Sequence, residues 1–145
     1  MALSGITKPT LKKLGGEAFC FMAEPEIAEK AKLDGTTRAV ASVSYASEKY
    51  PNAVFAVGNA PTALIKLSEL IREGFRPSLV IGVPVGFVNV VESKEEIFEL
   101  CKEKGIPAIV AKGRKGGSNV AAAICNALLY AAGDLTDPSK RGWRG

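Results

Sequence analysis

A chain of 145 residues, of which 47% are hydrophobic, is long enough to form one domain with a buried core. Nineteen basic and 15 acidic residues leave a net charge of only +4, and the basic residues are scattered apart from 112–115 and 140–144, which excludes a continuous nucleic-acid-binding stripe. No apolar run approaches the roughly 20 residues of a membrane helix, and the first residues lack the pattern of a secretion signal. We therefore expect a cytoplasmic protein whose partners include neither nucleic acid nor membrane.

The use of cysteine and histidine restricts the chemistry. Cys20, Cys101 and Cys125 lie far apart without a C-x-x-C pair, so the sequence offers no cysteine pair for zinc or for a redox disulfide. We predict that the three cysteines fill the core as small apolar residues. The chain contains no histidine, which is the commonest general acid or base and the commonest transition-metal ligand. An enzymatic hypothesis therefore has to work without a histidine from this chain.

Strands and helices alternate along the sequence. Apolar runs of strand length and helical periodicities, separated by Gly and Pro, identify the elements. In chain order they predict a short helix at 10–14, a strand at 18–22, helices at 26–32 and 38–50, a strand at 53–57, a helix at 61–74, a strand at 79–83, a helix at 90–104, a strand at 108–111 and a helix at 119–132. This order predicts a three-layer α/β domain with a parallel sheet over residues 1–133, followed by a C-terminal tail at 134–145.

Three glycine-bearing loops follow the last three predicted strands, at 58–60, 84–89 and 112–118. The carboxyl ends of parallel strands meet at one edge of the sheet, where such folds bind ligands. Glycine permits close backbone approach, and the first N–H groups of each following helix are free to donate to an anion. Polar and basic side chains stand in or beside these loops: Asn59, Thr62, Arg114 and Lys115. The pattern predicts a pocket for an acidic small molecule.

Other interpretations of the same loops remain open. Residues 58–62 are equally consistent with a plain strand-to-helix turn, and Gly and Pro punctuate loops of every kind. The loop G-R-K-G-G-S at 113–118 lacks the spacing of a nucleoside-triphosphate loop, and no G-x-G-x-x-G follows a strand. A generic nucleotide-binding α/β domain is therefore favoured only by the fold. Composition and spacing lead no further than an α/β domain with a loop edge suited to anions.

The exact residues of four motifs indicate a particular family. The segments G-N-A-P-T-A-L at 58–64, L-V-I-G-V-P-V-G-F-V at 79–88, E-S-K at 92–94 and G-R-K-G-G-S at 113–118 closely resemble the precorrin-8X methylmutase family, also called precorrin isomerases. The resemblance implies a flavodoxin-like fold, a homodimer, and a tetrapyrrole substrate with many carboxylates. It implies migration of a methyl group from C-11 to C-12 of that macrocycle in cobalamin biosynthesis. It also implies that the protein needs neither a redox cofactor nor a metal.

Motifs and loops together define the predicted substrate-binding residues. These residues let the backbone approach a ligand closely, offer hydrogen-bonding groups or carry positive charge. They are Thr37, Arg38, Gly58, Asn59, Thr62, Gly86, Arg114, Lys115 and Ser118. Thr37 and Arg38 enter through the T-R-A sequence at 37–39, which also resembles the family, although their residue types alone are typical of a surface.

The chain departs from the family at its start. Family members are usually longer at the N-terminus, and the histidine to which proton transfer is attributed lies in that additional part. Residues 1–6 resemble an internal family segment that normally follows a strand. We therefore expect the first strand and the catalytic histidine to be absent, and we assign no catalytic residue in this chain. The alternative to a methylmutase is a non-catalytic corrinoid-binding relative, or an inactive fragment.

Overall fold

The computed structural model describes residues 2–141. Its helices and strands alternate as an α/β fold requires. The elements are α1 (Lys8–Lys13), α2 (Pro25–Leu33), α3 (Arg38–Lys49), β1 (Val54–Val57), α4 (Pro61–Arg72), β2 (Leu79–Gly82), α5 (Val90–Lys104), β3 (Ala108–Val110) and α6 (Ser118–Ala132), with short 3-10 helices at Leu3–Gly5 and Pro138–Arg141. Within the described part of the chain, no helix is long and apolar enough to cross a membrane.

The three strands form one parallel sheet in the order β1-β2-β3. Val54 pairs with Leu79 at the start of the first ladder, and Val80 pairs with Ala108 in the second. Consecutive parallel strands of this kind match the last three strands of the flavodoxin-like order 2-1-3-4-5. The predicted α/β class with a parallel, helix-covered sheet is confirmed.

The main core lies on one face of the sheet, beneath α3, α4 and α5. Phe55 and Val57 point to this face because strand side chains alternate, and they pack with Val80 and with the apolar stripes of the helices. Leu64 and Leu67 of α4 are fully buried here. Burial of each such side chain stabilises the fold by about 1.5–3 kcal/mol. This core holds the strand ends, and therefore the loops after them, in fixed relative positions.

The opposite face is covered only partly. Helix α6 packs over β1 and β2, and its Ala121 joins Ile81 in a second cluster. Ile81 is fully buried, whereas Val54 remains 51% exposed on β1 and Ile109 36% exposed on β3. One helix over three strands shields the central strand and leaves apolar side chains uncovered on both outer strands.

The strand predicted at 18–22 is wrong. This segment has no ladder partner among residues 2–141 and runs as irregular chain between α1 and α2. Its aromatic rings pack on Tyr45 of α3 and on Tyr50, which follows α3. Phe19 stacks on Tyr50 with 4.8 Å between ring centroids, and Phe21 meets Tyr45 edge-on with 4.9 Å between ring centroids. Apolar, aromatic composition is typical of strands because strands are half buried. Here the rings stack on one another instead, and Phe19 stays 48% exposed while Phe21 is partly buried. The described sheet therefore has three strands rather than four.

The ends of the described chain are tied to α6. The side-chain amide of Asn126 accepts a hydrogen bond from the N–H of Thr7 and donates one to the carbonyl of Gly5, both at 2.8 Å. After α6, the Arg141 guanidinium lies 4.0 Å from the centroid of the Tyr130 ring. Met1 and residues 142–145, the last part of the predicted tail at 134–145, lie outside the described residues. The boundary at residue 133 between domain and tail stays a prediction.

Candidate functional site

The first and third loops meet at the carboxyl edge of the sheet. Gly58, at the end of β1, is buried against the start of α6. A Cβ at position 58 would lie 3.0 Å from the Cα of Ser118 and 3.2 Å from the carbonyl oxygen of Gly117. Such distances leave no room for a side chain, so glycine is what allows α6 to begin against the end of β1. The structure thus brings the predicted site residues Gly58 and Ser118 together.

The second loop is joined to the third by the end of β2. The N–H of Gly117 donates to the carbonyl oxygen of Val83 at 2.8 Å. A Cβ at Gly116 would lie only 2.3 Å from that same oxygen and 3.0 Å from the carbonyl oxygen of Pro84. The predicted convergence of the three loops at one edge is therefore a feature of the structure.

The tip of the second loop is apolar and exposed. Phe87 is 91% exposed and Val88 75% exposed. The loop ends at Asn89, which adopts a left-handed conformation (φ 58°) immediately before α5. Gly86 lies beside the start of α4, since a Cβ added to Gly86 would be 3.9 Å from Cγ of Pro61. Apolar surface of this kind beside backbone donors is typical of a ligand-binding or protein-binding edge.

Free backbone donors surround the same edge. Helices α4, α5 and α6 all begin at these loops, and none of the three has a side-chain cap: their N-cap residues are Ala60, Asn89 and Gly117. The first N–H groups of an uncapped helix remain available and carry a partial positive charge. Asn59, Thr62, Arg114 and Lys115 are exposed beside them. The arrangement can receive several anionic groups at separate points.

A buried lysine underlies the third loop. Lys94 of α5 is fully buried, and its Nζ donates to the carbonyl oxygens of Gly113 at 2.9 Å and Lys115 at 2.8 Å. Burial lowers the pKa of the Lys94 ammonium, while the two carbonyl acceptors favour its charged form. Because its nitrogen faces these carbonyls in the protein interior, Lys94 contacts the third loop from its buried side.

Thr37 and Arg38 lie at the start of α3. The Oγ1 of Thr37 accepts a hydrogen bond from the N–H of Val40 at 3.2 Å, so Thr37 is the N-cap of this helix. Both side chains are exposed. A cleft of about 430 Å³ separates α3 from α4, and its lining includes Thr62 together with Thr36 rather than Thr37. Thr62 therefore connects the loop edge with this cleft.

The cysteines divide into two kinds. Cys101 is fully buried in the main core, and burial raises the pKa of its thiol to about 11. Cys125 is partly buried on α6, and burial raises the pKa of its thiol too. Cys20, predicted to lie in the core, is exposed because the segment that carries it is not a strand. Among residues 2–141, no cluster of three His, Cys, Asp or Glu side chains is arranged to hold a metal ion.

Comparison with known proteins identifies the family. The sequence model of the precorrin-8X methylmutase family matches residues 1–131. The chain belongs to this family. The cobalt-precorrin-8 methylmutase of Salmonella typhimurium is 50% identical over 131 residues, which are 90% of this chain and 59% of that protein. That of Leptospira interrogans is 43% identical over 149 residues, covering 99% of this chain and 65% of the relative.

Solved structures give the same result. The precorrin-8X methylmutase of Thermus thermophilus superposes with a TM-score of 0.83 at 45% identity, over 94% of this chain and 65% of that one. A protein described as precorrin-8X methylmutase related superposes with a TM-score of 0.79 at 30% identity. The chain thus spans about three-fifths to two-thirds of the length of these methylmutases.

The methylmutase motifs coincide with the loop edge. The segment at 79–88 contains β2 and the loop after it, the segments at 58–64 and 113–118 contain loop residues that follow β1 and β3, and E-S-K at 92–94 lies in the first turns of α5. Two residues of this edge, Lys94 and Phe87, lie within the motifs but were not predicted to belong to the site. A lysine in E-S-K gives no sign of being buried, and the only signal for Phe87 was its place in a loop between Gly86 and Val88.

Proposed function

We propose that this chain is a methylmutase-type isomerase that acts on precorrin-8X or its cobalt-bearing counterpart. The reaction moves a methyl group from C-11 to C-12 of the macrocycle, in cobalamin biosynthesis. The observation that carries the proposal is the convergence of three motif-bearing loops at the carboxyl edge of the sheet, through the contacts of Gly58 and Gly116. The family assignment supports it over the whole matched range, 1–131.

The chemistry of the loop edge supports this substrate class. A precorrin is a largely apolar macrocycle with carboxylates around its periphery. The uncapped starts of α4 and α6 and the exposed Arg114 offer several donors to carboxylates. The apolar tip of Phe87 and Val88 offers a surface for the ring.

The substrate-binding role belongs to the residues of the loop edge and to those at the start of α3. In this proposal Gly58, Gly86 and Ser118 provide backbone space and amide donors, Asn59, Thr62 and Thr37 provide neutral hydrogen bonds, and Arg38, Arg114 and Lys115 provide positive charge for carboxylates. Their exposure supports this role for the charged residues, since all three are accessible to a ligand.

The contribution of this chain to the reaction is to bind the macrocycle and hold it in one orientation. The methyl shift of this family is described as assisted by proton transfer, and a protein that holds the ring in one conformation favours the reacting geometry. The 145 residues contain no histidine, so a proton carried by histidine would have to come from outside this sequence. The absence of histidine favours a second candidate, a corrinoid-binding relative that does not catalyse the shift.

Self-association forms part of the proposal. The free edge of β1, the exposed Val54 beside it and the uncovered Ile109 on β3 leave apolar sheet surface in water. Unpaired strand edges and apolar patches favour pairing with another chain. We therefore propose that the protein works as a homodimer or a larger assembly of identical chains.

A cytoplasmic location is also proposed. Cys20, Cys101 and Cys125 are all free thiols, which suits a reducing compartment. Cell fractionation with an antibody to the chain tests this point, and recovery from a secreted or membrane fraction would contradict it.

The central experiment separates binding from turnover. The purified chain is titrated with the corrin polycarboxylate hydrogenobyrinate while ligand absorbance and fluorescence are recorded, and is then incubated with precorrin-8X. Micromolar binding with formation of the hydrogenobyrinate spectrum supports the isomerase. Binding without that spectral change supports the non-catalytic candidate. Absence of binding at micromolar ligand contradicts both, and a thermal-shift screen of nucleotides then tests the generic α/β alternative.

A further inference from the structure

Helix α5 holds the third loop at several points. Lys94 donates to the carbonyl oxygens of Gly113 and Lys115, at 2.9 and 2.8 Å. One turn further along α5, the ring of Phe98 lies beneath the ammonium of Lys112. The Nζ of Lys112 is 4.4 Å from the centroid of this ring. The residues on either side of Arg114 are thus fixed to the same helix, while Arg114 itself is exposed between them.

The Lys94 ammonium is an unusual anchor. Its side chain is fully buried, and its Nζ donates to two backbone carbonyls rather than to a carboxylate. Burial of a cationic group is costly unless hydrogen bonds compensate for the lost water. A shorter polar or an apolar residue would fill this part of the core at a lower cost, so stability alone does not explain a lysine here. What Lys94 supplies, and a shorter polar or an apolar residue does not, is a long stem with several donors, which reaches two carbonyls two residues apart.

We propose that Lys94 is a positioning residue: it fixes the backbone on both sides of Arg114 and so directs the Arg114 guanidinium toward a carboxylate of the bound tetrapyrrole. This inference rests on the proposed substrate class. It extends the site to a buried residue that acts on the ligand through Arg114. A flexible arginine loses rotamer and loop freedom when it binds, and a fixed backbone reduces that loss.

The test is a double-mutant cycle with hydrogenobyrinate as the ligand. Lys94→Met keeps the length and packing of the side chain and removes its donors, and Arg114→Ala removes the group that it is proposed to direct. We expect each single variant to lower affinity about tenfold, and the double variant to bind no more weakly than Arg114→Ala. Multiplication of the two effects in the double variant would overturn the proposal, since Lys94 would then act independently of Arg114.

A second measurement needs no ligand. Trypsin cleaves after Lys and Arg, and cleavage requires the chain around the site to open locally. In native protein we expect Lys94→Met to speed cleavage after Arg114 and Lys115 at least fivefold. The matched control is Ile97→Val, which loses one methyl group from the core in the same helix without touching the loop. Equal cleavage rates in Lys94→Met and the wild type would overturn the positioning role.

These two measurements distinguish the inference from the proposed function. If wild-type protein fails to bind hydrogenobyrinate, the proposed substrate class falls, and the tryptic rates alone decide whether Lys94 fixes the loop. If Lys94→Met does not fold, Lys94→Gln replaces it, because glutamine keeps an N–H donor on a shorter stem. Lys94→Gln reaches at most one of the two carbonyls, so we expect it to be cleaved faster than the wild type, and a wild-type rate would count against the proposal.

Discussion

Gly58 lies so close to α6 that a Cβ added to it would come within 2.9 Å of the Cβ of Ala121. Real side chains do not approach one another to that distance, so an alanine at position 58 would have to push the helix away from the end of β1. Since α6 also carries Ser118 at the loop edge, this one contact links the stability of the fold to the shape of the candidate site.

Gly58→Ala is therefore expected to destabilise the protein by about 1–3 kcal/mol, the usual cost of overpacking a close contact. Urea denaturation followed by circular dichroism measures the loss. Gly16→Ala is the matched control, because a Cβ at Gly16 meets the flexible end of the Leu11 side chain at 3.0 Å. A midpoint for Gly58→Ala equal to that of the control would show that α6 adjusts without cost.

Thr37 has a structural role that can be separated from binding. Its hydroxyl caps α3, and loss of such a cap costs about 0.5–2 kcal/mol. Thr37→Ala should lose this amount, while Thr37→Ser should keep it because serine caps equally well. If Thr37 also binds the tetrapyrrole, Thr37→Ala should bind hydrogenobyrinate more weakly than Thr37→Ser in protein that remains fully folded. Equal affinities would remove Thr37 from the site and leave only the cap.

Cys101 predicts a specific pH dependence. Burial raises the pKa of its thiol from 9.0 to about 11, so between these values the unfolded chain loses the proton first. The neutral buried thiol contributes stability that is complete below pH 9 and is lost as pH rises through 11. Two pKa units correspond to about 3 kcal/mol in all, of which about 2 kcal/mol is lost by pH 11.

Comparison of wild type and Cys101→Ala by urea denaturation at pH 8 and pH 11 isolates this effect. We expect the difference in unfolding free energy between them to shift by that amount in favour of the alanine variant at the higher pH. Cys20→Ala, which removes an exposed thiol, serves as the control and should show no comparable shift. The same result for both variants would contradict the role of burial.

Phe87 tests the apolar part of the proposed site. Because this ring is 91% exposed, Phe87→Ser should change stability by no more than about 0.5 kcal/mol. We expect it to weaken hydrogenobyrinate binding at least fivefold by removing apolar contact with the macrocycle. Leu33→Ser is the control, since Leu33 is 80% exposed on α2, away from the loops. Identical affinities in the two variants would leave the tip without a part in binding.

Val54 tests the proposed self-association. Lysine at an exposed edge position discourages strand pairing between chains, and Val54 is half exposed on β1. Val54→Lys should lower the sedimentation coefficient toward that of a monomer while the circular dichroism spectrum stays the same. Leu33→Lys adds the same charge at a remote exposed site and should sediment like the wild type. A dimer that persists in Val54→Lys would place the interface elsewhere.

Local pattern was enough to predict most of the fold. Helix α4 was predictable from Leu64, Leu67 and Ile71, whose spacing forms one buried stripe, and the loops after β1, β2 and β3 followed from glycines at the strand ends. The segment 18–22 was not predictable in the same way. A strand exists only with a partner, and the composition of Phe19 and Phe21 carries no information about whether the neighbouring position in the sheet is filled.

In the candidate site too, local pattern predicted some residues and could not predict others. Exposed residues such as Asn59 and Arg114 could be placed beside the loops because their types and positions indicate a surface. Lys94 could not, since a lysine in the second turn of a helix is normally solvated. Its burial depends on carbonyls of Gly113 and Lys115, about 20 positions later in the chain, that only the folded loop brings into place.

The Lys94 ammonium holds the third loop through two backbone carbonyls, and its charge is part of the chain itself rather than of a dissolved ion. Dissolved salt screens buried pairs far less than exposed charges. The shape of the third loop should accordingly stay constant from dilute buffer to molar salt, even where the attraction of the exposed Arg114 and Lys115 for anions fades.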